Sequence, residues 1–353
     1  MASLLKKLFG RSEPRIATIK PFDVQVAVDG SQTLLEAALA EGVPFPHNCT
    51  VGTCGSCKCR LIEGKVSAIT DFGYTLSKQE LDAGYILACQ AQLKGPITVE
   101  VESPGADLPA PEQFQGKIVK SIDLTHDIKA VTVSLDRQID FVAGQYADIT
   151  VPGLPARSYS FATAPERGGR REVTFFIRKV PGGQFTEKLF AGALDNAEVG
   201  LNGPHGTFFL RGGEAPIVCI AGGSGLAPLL SILQHARKNR VRRECVMLFG
   251  ARTQADLYQV TEIREIARDW LPSLRFVPVL SHEPADSDWQ GLRGLVTEHI
   301  AAMLPKASPA DIQGYMCGPP PMIDAAITVM TDLGIPLQSI HYDKFTDAST
   351  TAR

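Results

Sequence analysis

The sequence predicts a multidomain protein of the α+β and α/β classes, with three architectures following one another along the chain. Three observations predict this. Residues 15–102 mix short strands with a capped helix around a cysteine-rich loop. Residues 114–212 form a series of short β-type runs with few helical patterns between them, the signature of an antiparallel barrel or sandwich. From residue 213 onward, bare apolar strands alternate with helical patterns, which specifies a parallel sheet with helices on its faces. A length of 353 residues accommodates two to three such domains.

In the first domain, residues 15–20 and 23–28 read as a hairpin. Thr33-Leu-Leu-Glu36 is a capping box, so a helix starts there, runs through Ala40 and stops at Gly42. A strand over residues 58–63 ends at Gly64, and residues 97–101 form the last strand. Between them lies Cys49-x4-Cys54-x2-Cys57, answered by Cys89. That spacing matches the four thiolate ligands of a plant-type [2Fe–2S] cluster. Two irons need two terminal sulfurs each, and three must come from one tight loop. Gly52 and Gly55 suit that loop because glycine adopts positive φ and lets backbone N–H groups approach sulfur. A zinc site would favour paired Cys-x2-Cys knuckles, and only one such pair is present. Disulfides would call for an oxidising compartment. Cys59 falls on the same strand face as Cys57 and is excluded as a ligand by spacing alone.

Residues 103–113 carry Pro104, Gly105, Pro109 and Pro111 and read as a semi-rigid linker. The barrel domain over residues 114–212 contains Arg157-Ser158-Tyr159-Ser160. An arginine forks two hydrogen bonds onto a phosphate. Two residues along a strand, Tyr159 points the same way and offers a flat aromatic face, while Ser160 faces the other side. Gly182-Gly183-Gln184-Phe185-Thr186 opens a helix whose first N–H groups, with the Thr186 hydroxyl, suit a phosphate. Each motif alone reads equally as an ordinary strand face or turn. Together, and followed by the glycine turn Gly203-Pro-His-Gly206-Thr-Phe208, they point to a flavin site, with Arg178 a further candidate FAD-binding residue.

The domain over residues 213–353 opens with a strand leading into Gly222-Gly223-Ser224-Gly225-Leu-Ala-Pro228 and then a helix. Strand, glycine loop and helix are the context for a pyrophosphate at a helix N-terminus. Pro228 stands where a Rossmann fingerprint has its last glycine, and no acid follows the second strand to hold a ribose 2′-OH. Arg252 sits there, with Asp256 four residues on, so NADPH stays open beside NADH. Cys317-Gly318-Pro319 ends another strand at the same carboxyl edge, where ligands bind in open α/β sheets. A buried structural cysteine is the alternative for Cys317.

Composition sets limits. Hydrophobic residues make up 44% and charged residues 21%, as in a water-soluble globular protein. The net charge of −3 argues against nucleic-acid partners, and no apolar run approaches the 18 residues of a membrane span. The four cysteines left over by the cluster are scattered through apolar runs, which predicts reduced, buried thiols and a cytoplasmic protein. Residues 1–10 (MASLLKKLFG) are basic and amphipathic but too short an apolar run for a signal peptide. They read either as a frayed tail, part of a segment 1–14 outside the domains, or as a small helix touching a membrane surface or partner.

The order of the motifs resembles that of the NADH-dependent ferredoxin reductases, the electron-transfer components of bacterial multicomponent oxygenases. The likeness runs from about Arg15 to Phe345. Ala143-Gly-Gln-Tyr-Ala-Asp148 and Arg157-Ser-Tyr-Ser-Phe161 are most similar to the reductases of the xylene monooxygenase type, with the phenol hydroxylase and benzoate dioxygenase types alike in layout. The resemblance implies a β-grasp [2Fe–2S] ferredoxin domain, an antiparallel Greek-key FAD barrel and a ferredoxin-reductase-type NAD domain. It also implies roles. Arg157 binds FAD phosphates, Tyr159 stacks on the flavin ring, and Ser160 bonds near N5. Cys317 and Gly318 lie by the nicotinamide, and Phe345 lies against the flavin. Ser160 and Cys317 become the catalytic pair. Relatives often carry Glu-x-Phe where this chain has Asp343-Lys344-Phe345, so no role passes to Asp343. The implied activity is electron transfer from NADH through FAD and the cluster to an oxygenase or hydroxylase component by a monomeric reductase. The lean is toward a membrane diiron partner met at the inner membrane. A reductase serving a sugar-nucleotide dehydratase, or a redox sensor without turnover, are the competing readings.

Overall fold

The computed structural model describes residues 14–47, 50–53, 55–101 and 108–346. Cys49, Cys54, the amphipathic tail 1–10 and half of the expected linker lie outside the described residues. The chain divides into two compact units, Met1–Ala106 and Asp107–Arg353.

In the first unit, β1 (Arg15–Lys20) and β2 (Val24–Val28) form the expected hairpin. Helix α1 (Leu34–Ala40) begins at Thr33, whose side chain accepts from the Glu36 N–H while Glu36 reaches back to the Thr33 N–H. It buries Leu34, Leu35, Ala37 and Ala38. Then come β3 (Lys58–Glu63), β4 (Val66–Ala68), α2 (Lys78–Asp82), β5 (Tyr85–Leu87), β6 (Ala91–Leu93) and β7 (Ile97–Val101). The main sheet runs β2-β1-β7-β3-β5, and β4 pairs separately with β6. The parallel β1–β7 pair at its centre, crossed by α1, is the β-grasp arrangement. Alternate residues of β1, Ala17 and Ile19, are fully buried, as a half-buried strand requires.

The second unit begins with β8 (Glu112–Asp123), β9 (Ile128–Ile139), β10 (Tyr146–Thr150), β11 (Arg157–Ser160), β12 (Arg170–Arg178), α3 (Gln184–Phe190) and β13 (Glu198–His205). Its strands pair antiparallel in the order β11-β10-β13-β8-β9-β12. A bridge between Phe161 and Phe175 joins the two edge strands and closes the barrel. Phe161 fills the interior, stacked at 4.1 Å on Phe141 and 5.3 Å from Phe175. Gly144 is required just before β10. Its φ is +102°, and a Cβ there would stand 2.2 Å from the Phe208 carbonyl oxygen. Gln145 pins the same corner, accepting from the Val142 N–H and donating to the Gly206 carbonyl.

The same unit continues with β14 (Ile217–Gly222), α4 (Leu226–Lys238), β15 (Cys245–Ala251), α5 (Val260–Asp269), β16 (Leu274–Leu280), β17 (Leu292–Arg293), α6 (Ile300–Met303), β18 (Gln313–Gly318), α7 (Pro320–Asp332) and β19 (Ile340–Lys344). All six strands are parallel, in the order β17-β16-β15-β14-β18-β19. β14 is buried along its whole length, as expected of a strand covered on both faces. The chain leaves β14 toward β15 on one side and returns as β18 on the other. The crevice at their carboxyl ends is therefore the topological switch point. Barrel and sheet share one core, in which Ala162 and Phe176 pack with Leu226, Leu230 and Cys317. No described helix is long and apolar enough to cross a membrane.

Candidate functional site

Of the four predicted cluster ligands, the structure describes Cys57 and Cys89, both buried. Cys57 ends the turn into β3, and Cys89 lies in a short 3-10 turn after β5. The Ala88 N–H donates to the Cys57 carbonyl at 3.0 Å, and the Cys89 N–H donates to the Cys57 sulfur at 3.5 Å. The Gln90 amide reaches the Cys89 sulfur at 3.7 Å and the Thr50 carbonyl at 3.5 Å. Gly52 has a φ of +83°, and a Cβ there would press to 2.6 Å from the Gln90 side chain. Thr75 donates its hydroxyl to the Gly52 carbonyl. Such a wrap around two buried thiols, with N–H groups aimed at sulfur, fits a cluster held by thiolates. Cys59 is buried in the sheet, and burial pushes its thiol far above its ordinary range. Cys219 and Cys245 are likewise buried.

In the barrel, Arg157 is exposed and donates to the Ala156 carbonyl. The Ser158 hydroxyl donates to Asp148 Oδ1 at 2.6 Å, bracing β11 on β10. The Tyr159 ring tilts against Phe185 at 5.6 Å, and burial pushes its phenol upward. Ser160 is 4% exposed. An exposed guanidinium, a half-buried ring and a buried hydroxyl along four residues fit a nucleotide with its phosphate outward and its ring inward. The Thr186 hydroxyl, expected to face a phosphate, is turned inward. It accepts from the Val180 N–H and donates to the Val180 carbonyl, both at 3.1 Å. Its job here is to close the turn through Gly182 and Gly183. A Cβ on Gly183 would come within 2.6 Å of that hydroxyl.

The crevice of the α/β sheet is a cavity of about 380 Å3 whose wall includes Gly222, Gly223, Arg252, Val296, Pro319 and Met322. The loops after β14 and β18 touch so closely that only glycine fits. A Cβ on Gly225 would lie 2.2 Å from the Cys317 carbonyl oxygen, and one on Gly222 would lie 2.6 Å from the Met322 sulfur. Gly318, at φ +152°, faces the backbone of Gly222. This glycine cradle at a switch point fits a dinucleotide. Tyr258, which the sequence reading missed, donates its hydroxyl to the Gly223 carbonyl at 2.8 Å and so fixes the loop. Phe345 is tied to the crevice by its N–H, which donates to the Gly318 carbonyl at 2.9 Å.

Arg178, grouped by sequence with the barrel site, lines this cavity together with Gly223 and Arg252. Asp127 explains why. It accepts from Arg178 Nε at 3.1 Å and from Arg252 Nη2 at 3.0 Å, and Asp256 accepts from the same Nη2 at 2.8 Å. Burial opposes ionisation of Asp127, but Arg178, the Thr125 hydroxyl and Arg252 together hold it below the usual carboxylate range. Arg252, read from sequence as a phosphate acceptor, is thus held between two carboxylates. Cys317 is fully buried, and burial, then the Asp343 charge beside it, pushes its thiol up. It stays neutral at physiological pH. Asp343 stands opposite Cys317 across the β18–β19 pair, and burial raises it to about 7.

Comparison with known proteins agrees with this geometry. Residues 17–94 match the 2Fe-2S iron-sulfur cluster binding domain, residues 115–210 the oxidoreductase FAD-binding domain, and residues 219–328 the oxidoreductase NAD-binding domain. The xylene/toluene monooxygenase electron transfer component of Pseudomonas putida is 38% identical, over 98% of this chain and 98% of that protein. The chain belongs to the reductase components of multicomponent oxygenases. Another relative of this reductase is the naphthalene 1,2-dioxygenase system ferredoxin–NAD(P)(+) reductase component of Pseudomonas putida, 35% identical over 93% of this chain and 97% of that one. Among solved structures, an Amycolatopsis cytochrome P450 reductase is similar with a TM-score of 0.71 and 33% identity, covering 95% of this chain and 99% of that one. The expected β-grasp, FAD-barrel and NAD-domain architectures are all present in this reductase.

Proposed function

We infer that this reductase draws electrons from NADH and passes them, through FAD and a [2Fe–2S] cluster, to the oxygenase component of a mono- or dioxygenase. The observation that carries this is one chain holding the three cofactor folds in succession, with a glycine cradle at the β14–β18 switch point. When bound, NADH supplies a hydride, FAD converts an electron pair into single electrons, and the cluster carries them one at a time.

The chain's own residues bind, orient and exclude water. We assign residues 15–102, 114–212 and 213–353 to the three domains. Cys49, Cys54, Cys57 and Cys89 hold the cluster. Arg157 takes FAD phosphates, Ser158 braces its strand, Tyr159 lies on the ring, Ser160 bonds at its buried edge, and Gly182, Gly183 and Thr186 shape the neighbouring turn. Gly222, Gly223, Ser224 and Gly225 admit the pyrophosphate, with Arg178 and Arg252 on the cavity wall. Cys317, Gly318 and Pro319 floor the nicotinamide pocket, and Phe345, held to Gly318 by its N–H, lies against the flavin. The neutral Cys317 thiol presents a small polarizable surface without a competing charge.

Ser160→Ala and Cys317→Ala each slow flavin reduction by NADH in stopped-flow while leaving the cluster spectrum intact. Unchanged rates in both variants would refute these two assignments. For the partner, the basic, apolar first ten residues and the similarity to the xylene/toluene component favour a membrane-bound diiron enzyme, met by a monomeric cytoplasmic protein at the inner membrane. Deleting residues 1–10 then weakens coupled hydroxylation with partner-bearing membranes but not NADH–cytochrome c reduction. Equal coupling after deletion would remove the membrane assignment.

A further inference from the structure

Gln90 directly follows the predicted ligand Cys89 in Ile86-Leu-Ala-Cys-Gln-Ala91, a run that is buried throughout and whose other side chains, apart from the cysteine, are aliphatic. Its own exposure is 6%. Burying an amide is costly unless its N–H groups find acceptors. Gln90 Nε2 has three within reach: the Cys89 carbonyl at 3.0 Å, the Thr50 carbonyl at 3.5 Å and the Cys89 sulfur at 3.7 Å. Two carbonyls on this side require the nitrogen, and not the amide oxygen, to face them. The nitrogen carries two hydrogens. One serves the Cys89 carbonyl, and the second is left for the sulfur and the Thr50 carbonyl.

The surroundings hold the side chain in this place. The Ile69 N–H donates to the Gln90 carbonyl at 2.8 Å, which fixes the backbone. The side-chain carbons occupy the space left by the missing Cβ of Gly52, where a methyl group would stand 2.6 Å from Gln90 Cγ. Thr75 grips the Gly52 carbonyl through its hydroxyl. The amide therefore bridges the answering cysteine to the loop that carries the other predicted ligands. Apolar side chains of similar size fill such a position without the desolvation cost, so packing alone does not call for an amide.

We propose that Gln90 is a positioning residue that raises the reduction potential of the cluster by donating an N–H to the Cys89 sulfur. This rests on the cluster assignment made above. The reduced cluster carries one more negative charge than the oxidised one, and part of it falls on the ligand sulfurs. A donor aimed at sulfur favours the more negative form. Removing the donor therefore lowers the midpoint potential.

The test is a potentiometric titration of the full-length protein carrying FAD and cluster, read by the EPR signal of the reduced cluster. Gln90→Met and Gln90→Leu both lack the donor, but only methionine matches the unbranched shape of glutamine. Both are expected to lower the midpoint by about tenfold in the reduced-to-oxidised ratio at a fixed potential, which is 59 mV for one electron. A side chain that only fills space would give a wild-type midpoint in Gln90→Met and a change, if any, in Gln90→Leu alone. That result, a raised midpoint, or unmoved midpoints in both would overturn the proposal. If Gln90→Leu does not retain a cluster, Gln90→Met decides by the same criterion. Loss of the cluster from both variants would show a residue that holds the ligand loop without tuning it, and would overturn the proposal too. A wild-type protein with no [2Fe–2S] signal would overturn the cluster assignment and this inference with it. A normal wild-type signal with unmoved variants overturns this inference alone.

Discussion

The cysteine loop and the dinucleotide crevice are two ways of building a cofactor site. The loop is local. Its proposed ligands fall within a short stretch plus one answering residue, and their spacing is what points to the chemistry. The crevice is assembled by topology. Gly225 and Cys317 are far apart in sequence, yet β14 and β18 are neighbours, so a Cβ on one would collide with the carbonyl of the other. A local site fails ligand by ligand, whereas a topological site fails when the packing between its loops is disturbed.

The largest expected effect breaks the local site. Cys89→Ser, at a buried cysteine proposed as a ligand, abolishes the cluster's absorbance and NADH–cytochrome c reduction but spares flavin reduction by NADH. A variant that keeps a full cluster spectrum would contradict the ligand assignment. Next, Gly225→Ala sets a methyl group 2.2 Å from the Cys317 carbonyl oxygen. Overpacking of this kind costs about 1–3 kcal/mol. The second unit then unfolds at lower denaturant, NADH binds at least about tenfold more weakly (1.4 kcal/mol per tenfold), and the cluster spectrum is unchanged. Wild-type affinity in this variant would deny that the loops of β14 and β18 form one cradle.

A smaller effect concerns the charges on the cavity wall. Arg252 bonds both Asp127 and Asp256, and a 2′-phosphate must compete with them. Asp127→Asn therefore raises the NADPH-to-NADH ratio of kcat/KM several-fold, on the order of one charge-assisted hydrogen bond. An unchanged ratio would show that Arg252 does not meet the ribose. The smallest effect is in stability against pH. Burial raises Asp343 to about 7, so the folded chain binds this proton more tightly than the unfolded chain. The resulting stability is complete below about pH 4, the ordinary aspartate value, and is lost as pH rises toward about 7. Asp343→Asn flattens that segment of the unfolding profile, and parallel profiles for the two proteins would contradict it.

The same contrast explains what could be read from sequence. The Thr33–Glu36 cap and the strand before Gly222 are local signals, and each element stands where the sequence puts it. Ser77-x-x-Glu80 is an equally plain capping box, but the helix it starts is only five residues long and has no apolar period to draw attention. Strand β19 was invisible because Ile340–Lys344 is an edge strand defined by its pairing with β18. Arg178 was grouped with the flavin motif nearest in sequence, and only the fold carries its side chain to Asp127 on the cavity wall. Thr186 offered a hydroxyl at a helix start, but the turn before it consumed both its donor and its acceptor. Side chains that act across elements are set by tertiary packing, and no single-sequence pattern encodes them.

In the proposed electron path, the crevice feeds the cysteine loop. Anaerobic mixing of the full-length protein, loaded with FAD and cluster, with NADH tests it directly by following flavin absorbance in stopped-flow and the cluster by freeze-quench EPR. Flavin bleaching is expected first and the signal of a reduced [2Fe–2S] cluster afterwards, with Cys89→Ser showing only the first phase. Complete flavin reduction in the wild-type protein with a cluster that stays oxidised would contradict it.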